Sequence, residues 1–117
     1  MKYLFLLHDD EDAWAAMEED KRNEIFGAYN AYTEELKKAG AYISGAPLEH
    51  SKNGKRVRAP GGSMTVQDGP FADGKEQLGG FYMVEAKDLG DALDWAARGP
   101  GARYGCLEVR PLWDIPS

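Results

Sequence analysis

Cysteine and histidine are scarce in this chain, which has one cysteine and two histidines among 117 residues. A lone Cys106 excludes an intrachain disulfide and a metal site built from clustered cysteines. His8 and His50 do not form the closely spaced pair of a helical zinc motif. Phosphate-binding loops and dinucleotide-binding glycine patterns are also missing. We therefore expect neither a metal nor another cofactor.

Positive charge is in short supply as well. The chain has 14 basic and 20 acidic residues, for a net charge of -6. Because affinity for nucleic acid comes mainly from neutralising phosphates, a nucleic-acid partner is not expected. Lys55, Arg56 and Arg58 alternate around Val57, which is typical of the solvent-facing side of a strand rather than of a basic patch.

Long hydrophobic runs are missing too. The run Tyr3–Leu7 stops at the acidic stretch Asp9–Asp12, far short of the roughly 20 apolar residues that cross a bilayer. It also lacks the order of a signal peptide. We expect a cytoplasmic protein without a membrane partner. Its hydrophobic content of 43% fits a folded soluble chain, and its length predicts a single domain over residues 1–117.

The apolar patterns that are present predict two helices and several strands. Asn53-Gly54 is a two-residue hairpin signal, and Gly40 and Asp88 read as helix caps. This order predicts an α+β fold, a ferredoxin-like antiparallel sheet of four or five strands with two helices on one face. The predicted strands are Lys2–His8, Tyr42–Ser51, Lys55–Ala59, Ser63–Gln67, Gly80–Ala86 and Tyr104–Trp113, and the main helices are Asp20–Ala39 and one that follows Asp88 and ends at Gly99-Pro100.

Several predicted strands are apolar on both alternations. With helices on one face only, the other face would be an exposed apolar patch of a kind that monomers rarely carry. We therefore predict a homodimer in which two sheets face each other and enclose a shared interior. The alternative is that the segment Leu48–Gly62 folds back as a cover.

The stretch DGPFADGKEQLGGF, residues 68–81, has more polar groups than a turn requires. Asp68 is a candidate general acid or base, or alternatively an Asx-turn acceptor for Gly69-Pro70. Phe71 is predicted to anchor the loop onto the core or across the dimer, and it is also a candidate ligand-binding residue. Lys75 and Glu76 are candidate ligand-binding residues, and Gly79-Gly80 suggests a β-bulge or a close backbone approach.

Outside this loop, His8 is the second candidate acid or base, since histidine titrates near neutral pH; a structural role is the alternative. Arg110 is a candidate ligand-binding residue, and a pair between it and a strand carboxylate, Glu85 or Glu108, could order a ligand or seal the interface. His50 is expected to be exposed. The acids Asp9–Asp12 do not fit a calcium loop and are expected to favour the following helix N-terminus.

The central stretch DGPFADGKEQLGGFYMVEA resembles the YCII-related family, in its DGPF subgroup. KYLFLLH, LGDALDWAA and LEVRPLW fit the same family, so the resemblance covers nearly the whole chain. It implies a dimeric α+β barrel like that of small monooxygenases and muconolactone-type enzymes, without a settled activity. Better-studied relatives carry a catalytic His-Asp pair with the histidine on the first long helix. Here that helix, EIFGAYNAYTEELKKAG, has no histidine, so the pair does not carry over intact.

Three functions follow as hypotheses. The first is a cofactor-independent enzyme that uses His8 and Asp68 on a small organic ligand between the two sheets, with Lys75 or Arg110 holding an anion. The second is a ligand-sensing module, since the subgroup is similar to domains found beside extracytoplasmic-function sigma factors. The third is a dimeric interaction protein without a ligand site.

Overall fold

The computed structural model of the chain describes residues 1–71 and 75–115. Residues 72–74, within the stretch DGPFADGKEQLGGF, lie outside the described residues. A short 3₁₀ helix, Ser51–Asn53, precedes the third strand. The strands are β1 (Lys2–Asp9), β2 (Tyr42–Pro47), β3 (Lys55–Arg58), β4 (Thr65–Asp68), β5 (Gln77–Glu85) and β6 (Cys106–Pro111), and the helices are α1 (Glu11–Ala16), α2 (Glu19–Lys38), α3 (Leu89–Arg98) and α4 (Pro100–Tyr104).

Four strands form an antiparallel sheet in the order β2-β5-β1-β6, with β1 and β5 at its centre. This is the strand order of a ferredoxin-like fold, so the predicted fold class is confirmed. β3 and β4 form a separate two-stranded ribbon, in which Lys55 lies opposite Asp68. The predicted hairpin at Asn53-Gly54 is wrong, because β3 pairs with β4 and β2 pairs with β5.

The core lies between the sheet and the helices. On β1, Tyr3, Phe5 and Leu7 are buried and alternate with partly exposed residues. This period of two places the three side chains on one face of the sheet. There they join buried residues of the helices, the sheet and their connections, namely Tyr32, Leu36, Ala41, Tyr82, Val84, Ala86, Ala92 and Ala96.

Local capping signals fix the helix ends. Asp88 accepts a hydrogen bond from the Asp91 amide, and Asp91 accepts one from the Lys87 amide, so this reciprocal cap starts α3. Gly40 follows the end of α2 with a positive φ of 72°, as a C-terminal cap requires. Gly99 ends α3, but Pro100 then begins α4, a helix that the sequence pattern did not predict.

The other face of the sheet carries the side chains that alternate with the buried ones on β1 and β5. Leu4 lies beside Met83 and Arg110, and Leu6 lies beside Phe81 and Glu108. The four apolar side chains are partly exposed in the single chain. We call Leu4, Leu6, Phe81 and Met83 the open face.

No helix among the described residues is long and apolar enough to cross a membrane.

Candidate functional site

A cavity of about 380 Å³ lies on the helix side of the sheet. The end of β1 and the start of β5 form one wall, α2 forms another, and α1 with the segment after β2 borders the rest. We call it the helix-side cavity. Its lining is rich in aromatic side chains and includes Leu7, Asp9, Glu11, Trp14, Phe26, Tyr29, Asn30, Thr33, Tyr42, Leu48, Glu49, His50, Gly79, Gly80 and Tyr82.

Asp9 is one of the three acidic residues that line this cavity, with Glu11 and Glu49. It continues the inward alternation of Phe5 and Leu7 at the last position of β1. The pairing of β1 with β5 shifts register between Leu7 and His8, which leaves Gly79 as the extra residue of a bulge. A Cβ on Gly79 would lie 2.9 Å from Asp9 Oδ1. The bulge and its missing side chain therefore make room for the carboxylate, and the predicted bulge is confirmed.

The surroundings of Asp9 disfavour its charge. Partial burial raises the pKa of this carboxyl above its usual value, and the nearby acids Glu11, Asp10 and Glu76 raise it further, while His8 opposes them. Among the described residues, none donates a hydrogen bond to the Asp9 carboxylate. A half-buried carboxyl with a raised pKa and an open hydrogen-bonding capacity is typical of a general acid or base.

Tyr29 of α2 lines the cavity with Asp9. Burial raises the pKa of its phenol to about 12, and the charge of Asp9 adds to the effect. Tyr29 is therefore a neutral hydroxyl at physiological pH, able to donate or accept a hydrogen bond. The pair gives the cavity one ionisable carboxyl and one neutral hydroxyl.

Aromatic contacts hold α2 at a fixed height over the sheet. The Tyr32 hydroxyl donates to the Trp95 carbonyl at 2.6 Å, and Thr33 and Tyr82 share a hydrogen bond of 2.8 Å between their hydroxyls. Tyr32 also packs edge-to-face on Tyr82, with ring centroids 5.5 Å apart. These contacts set the separation that leaves the cavity open beyond them.

A second set of contacts ties α1 to the segment after β2. The buried Glu11 carboxylate accepts hydrogen bonds from the Ser51 hydroxyl and from the Ser51 amide, the latter at 2.9 Å. His50 Nε2 lies 2.7 Å from Asp12 Oδ1, and its Nδ1 accepts from the Lys52 amide at 3.1 Å. Because Nδ1 is an acceptor, Nε2 carries the proton and donates to Asp12. The expectation that His50 is exposed is wrong, since its side chain is only 20% exposed.

A second cavity, of about 510 Å³, lies on the other side of the segment that follows β2. Three of the sequence-predicted site residues line it, namely His8, Phe71 and Glu76. Arg56 lines it too, with its guanidinium 4.4 Å from the Phe71 ring centroid. We call it the sheet-side cavity, because it borders His8. This residue lies at one end of the sheet face to which the open-face residues belong.

Two of the predicted residues meet at one carboxylate. His8 Nε2 lies 3.4 Å from Glu108 Oε1, and Arg110 donates to Glu108 Oε2 at 3.1 Å. Arg110 therefore pairs with Glu108, one of the two strand carboxylates considered for it, and not with Glu85. Arg110 is 66% exposed and does not line either cavity.

The DGPF residues serve mainly to build the loop. Asp68 accepts a hydrogen bond from Lys55 Nζ at 2.6 Å, which lowers the pKa of its carboxyl. Neither Asp68 nor the exposed Lys75 lines the two cavities. A Cβ on Gly69 would overlap the Ser51 carbonyl oxygen at 2.0 Å, so only glycine permits this close approach. The Phe71 ring packs on the Arg56 guanidinium, and its role as a ligand-binding residue stays a prediction.

Sequence reasoning missed Asp9, Tyr29 and Glu11 as site residues. For Asp9 a signal was present, because the inward alternation of Phe5 and Leu7 extends to it by the period of two. For Tyr29 no signal was present, because in the sequence it is indistinguishable from the other positions of the buried stripe of α2. The Glu11–Ser51 contact joins residues 40 positions apart, and no local pattern indicates it.

Fold and site together define a class. The chain is an α+β ferredoxin-like domain with an aromatic cavity between its helices and its sheet, and an acidic group at the cavity wall. The model of the YCII-related domain matches residues 1–116. The chain therefore belongs to the YCII-related domain family, as its resemblance implied.

Two known proteins are similar to the chain. An uncharacterized protein of Rhizobium meliloti (strain 1021) is 33% identical over 114 residues, which cover 96% of this chain and 92% of that protein. The solved structure of 5-chloro-2-hydroxyhydroquinone dehydrochlorinase (TftG) from Burkholderia phenoliruptrix AC1100, in complex with 2,5-dihydroxybenzoquinone, has a TM-score of 0.56 and 19% identity, covering 97% of this chain and 94% of that one. This second likeness supports the fold.

Proposed function

We propose that this protein binds a small organic molecule of single-ring size in the helix-side cavity and that Asp9 exchanges a proton with it, without a cofactor. The observation that carries the proposal is the Asp9 carboxyl. It is half-buried at the wall of a 380 Å³ aromatic cavity, and its pKa is raised by burial. A cavity of this size fits one planar ring with substituents.

The chemistry of the site fits proton transfer. A carboxyl whose pKa lies closer to neutrality accepts and returns protons more readily than an ordinary aspartate. Tyr29 supplies a neutral hydroxyl that can hold a carbonyl or hydroxyl oxygen of the ligand. The structural neighbour binds 2,5-dihydroxybenzoquinone, which is consistent with a ring-sized ligand here.

Binding can be tested by nuclear magnetic resonance with hydroquinone as the probe. We expect saturable shifts of the backbone amides of Tyr29, Thr33 and Gly79, which line only the helix-side cavity, with the β3–β4 ribbon unchanged. Shifts confined to His8, Glu76 and their neighbours would move the site to the sheet-side cavity and contradict this assignment.

Turnover requires a separate measurement. Solvent deuterium exchange into cyclic ketones, followed by proton resonance, reports proton abstraction beside a carbonyl. The exchange should fall by about 10²-fold or more in Asp9→Asn. His8→Ala and Asp68→Ala test the sequence-based assignment of those two residues, which stays a prediction. A loss of exchange in His8→Ala with full exchange in Asp9→Asn would contradict the role of Asp9.

The ligand-sensing function uses the same binding step without turnover. Saturable hydroquinone binding without catalysed exchange would favour it, and a link to sigma-factor-dependent transcription then becomes the hypothesis to test. We further propose that the protein is a homodimer formed through the open face. Its cytoplasmic location remains a prediction of the sequence.

A further inference from the structure

The helix-side cavity contains charges of almost one sign. Its described lining includes the acids Asp9, Glu11 and Glu49 and no lysine or arginine. The one basic side chain is His50, which lies beside Asp12 and Glu11. Lys75 and Arg110, the cations expected from the sequence to hold an anionic ligand, are both outside it.

These ionisable side chains differ in how fully their hydrogen bonds are used. Glu11 is bonded to Ser51. Glu49 accepts from the Asn53 side chain at 3.1 Å. His50 uses both ring nitrogens, as described above. Asp9 differs from them, because no described residue donates a hydrogen bond to its carboxylate.

A ligand in this cavity therefore finds a hydrogen-bond acceptor, the Asp9 carboxylate, more readily than a cationic hydrogen-bond donor. An anionic group would be desolvated beside carboxylates, which costs free energy that no cation of the lining offsets. A hydroxyl or ammonium group would complete the hydrogen bonding of Asp9, and ring faces such as those of Trp14 and Tyr29 favour aromatic and cationic groups.

We propose that the helix-side cavity takes an uncharged or cationic ring molecule that directs a hydrogen-bond donor to Asp9, and that it rejects anionic rings of the same size. This inference rests on the proposed function, since it specifies the ligand class of that same cavity. The selectivity depends on the charge of the ring molecule, so it can be tested separately from occupancy of the cavity.

Three probes of matched shape test it at neutral pH: benzylamine as the cation, benzyl alcohol as the neutral donor and benzoate as the anion. Amide shifts of the cavity residues report binding of each. We expect benzylamine to bind most tightly and benzoate at least about tenfold more weakly than benzyl alcohol. Equal or tighter binding of benzoate at these amides overturns the inference and leaves the proposed site standing.

Asp9→Asn should reduce the preference for benzylamine over benzoate by about tenfold, because it removes the negative charge of a carboxylate that lines the cavity. Asp94→Asn removes the same charge from exposed α3, which does not line the cavity, and should leave the preference unchanged. An equal loss in both variants would mean that net charge sets the preference, which contradicts the role given to Asp9. If none of the three probes reaches these amides, the proposed function itself fails.

Discussion

Asp9 is where stability and function oppose each other at the scale of a single residue. A carboxyl placed at the inner end of a buried strand loses hydration, and the acids around it repel its charge. Such a residue weakens the fold when it is ionised. Its position is therefore better explained by what it does in the cavity than by what it contributes to packing.

Replacing Asp9 by asparagine should stabilise the protein at neutral pH. Because the folded-state pKa is raised above the usual 3.8, the unfolded chain releases this proton first. The cost to stability thus grows as pH rises through the raised pKa and is absent below 3.8. We expect a gain of at most about 1 kcal/mol, since the half-exposed group keeps part of its hydration.

Urea unfolding of both proteins measures this difference. The gain should be present at pH 7 and shrink towards zero as the medium is acidified below the ordinary carboxyl pKa of about 4. A variant that is less stable than the parent at pH 7 would mean that the ionised carboxylate has a stabilising partner.

Gly79→Ala tests whether the bulge exists to seat Asp9. The new Cβ would lie 2.9 Å from Asp9 Oδ1, so the end of a flexible side chain has to move while the backbone stays. We expect hydroquinone affinity to fall about tenfold with a stability loss below about 1 kcal/mol. Gly27→Ala is the control, because a Cβ at this exposed position of α2 meets nothing within 4 Å. Full hydroquinone affinity in Gly79→Ala would show that ligand binding does not depend on the bulge.

At the scale of elements, the sequence predicted what depends on local chemistry. β1, α2 and α3 follow from apolar period and caps such as Asp88, and their ends lie within a residue or two of the prediction. The hairpin at Asn53-Gly54 failed because strand pairing is decided by distant partners. α4 was missed because Pro100 reads as a stop signal, although proline is also favoured at the first position of a helix.

The contact of α1 with the segment after β2 gives an element-scale prediction. Ser51→Ala removes the hydroxyl that donates to the buried Glu11 carboxylate. We expect a loss of about 1–2 kcal/mol in the free energy of unfolding, since hydrogen bonds to buried charges are worth more than neutral ones. Urea unfolding measures it, and Ser63→Ala, at an exposed position before β4, is the control. An unchanged midpoint for Ser51→Ala would show that this contact does not hold the segment in place.

At the scale of the whole molecule, the described residues form a thin layer, with extents of 46 × 45 × 19 Å. The helices cover one face of the sheet. Residues of the segment that follows β2 reach the His8 end of the other face, at the sheet-side cavity, and leave the open face partly exposed. The order of strands and helices predicted this one-sided cover, and the double alternation of β1 and β5 predicted that the second face is apolar. Sequence reasoning could not foresee the helix-side cavity, because the cavity depends on the height of α2 above the sheet.

The partly exposed open face favours association of the molecule with a second copy of the chain. Leu6 lies near the centre of the open face, on a central strand, with Phe81 beside it. We expect sedimentation at micromolar concentration to give the mass of two chains for the parent protein. Leu6→Asp should give the mass of one, because a carboxylate buried between two sheets would lack a partner. Leu93→Asp places the same charge on exposed α3 and should remain a dimer. A parent protein that sediments as a single chain would leave the open face to water and remove the case for the homodimer.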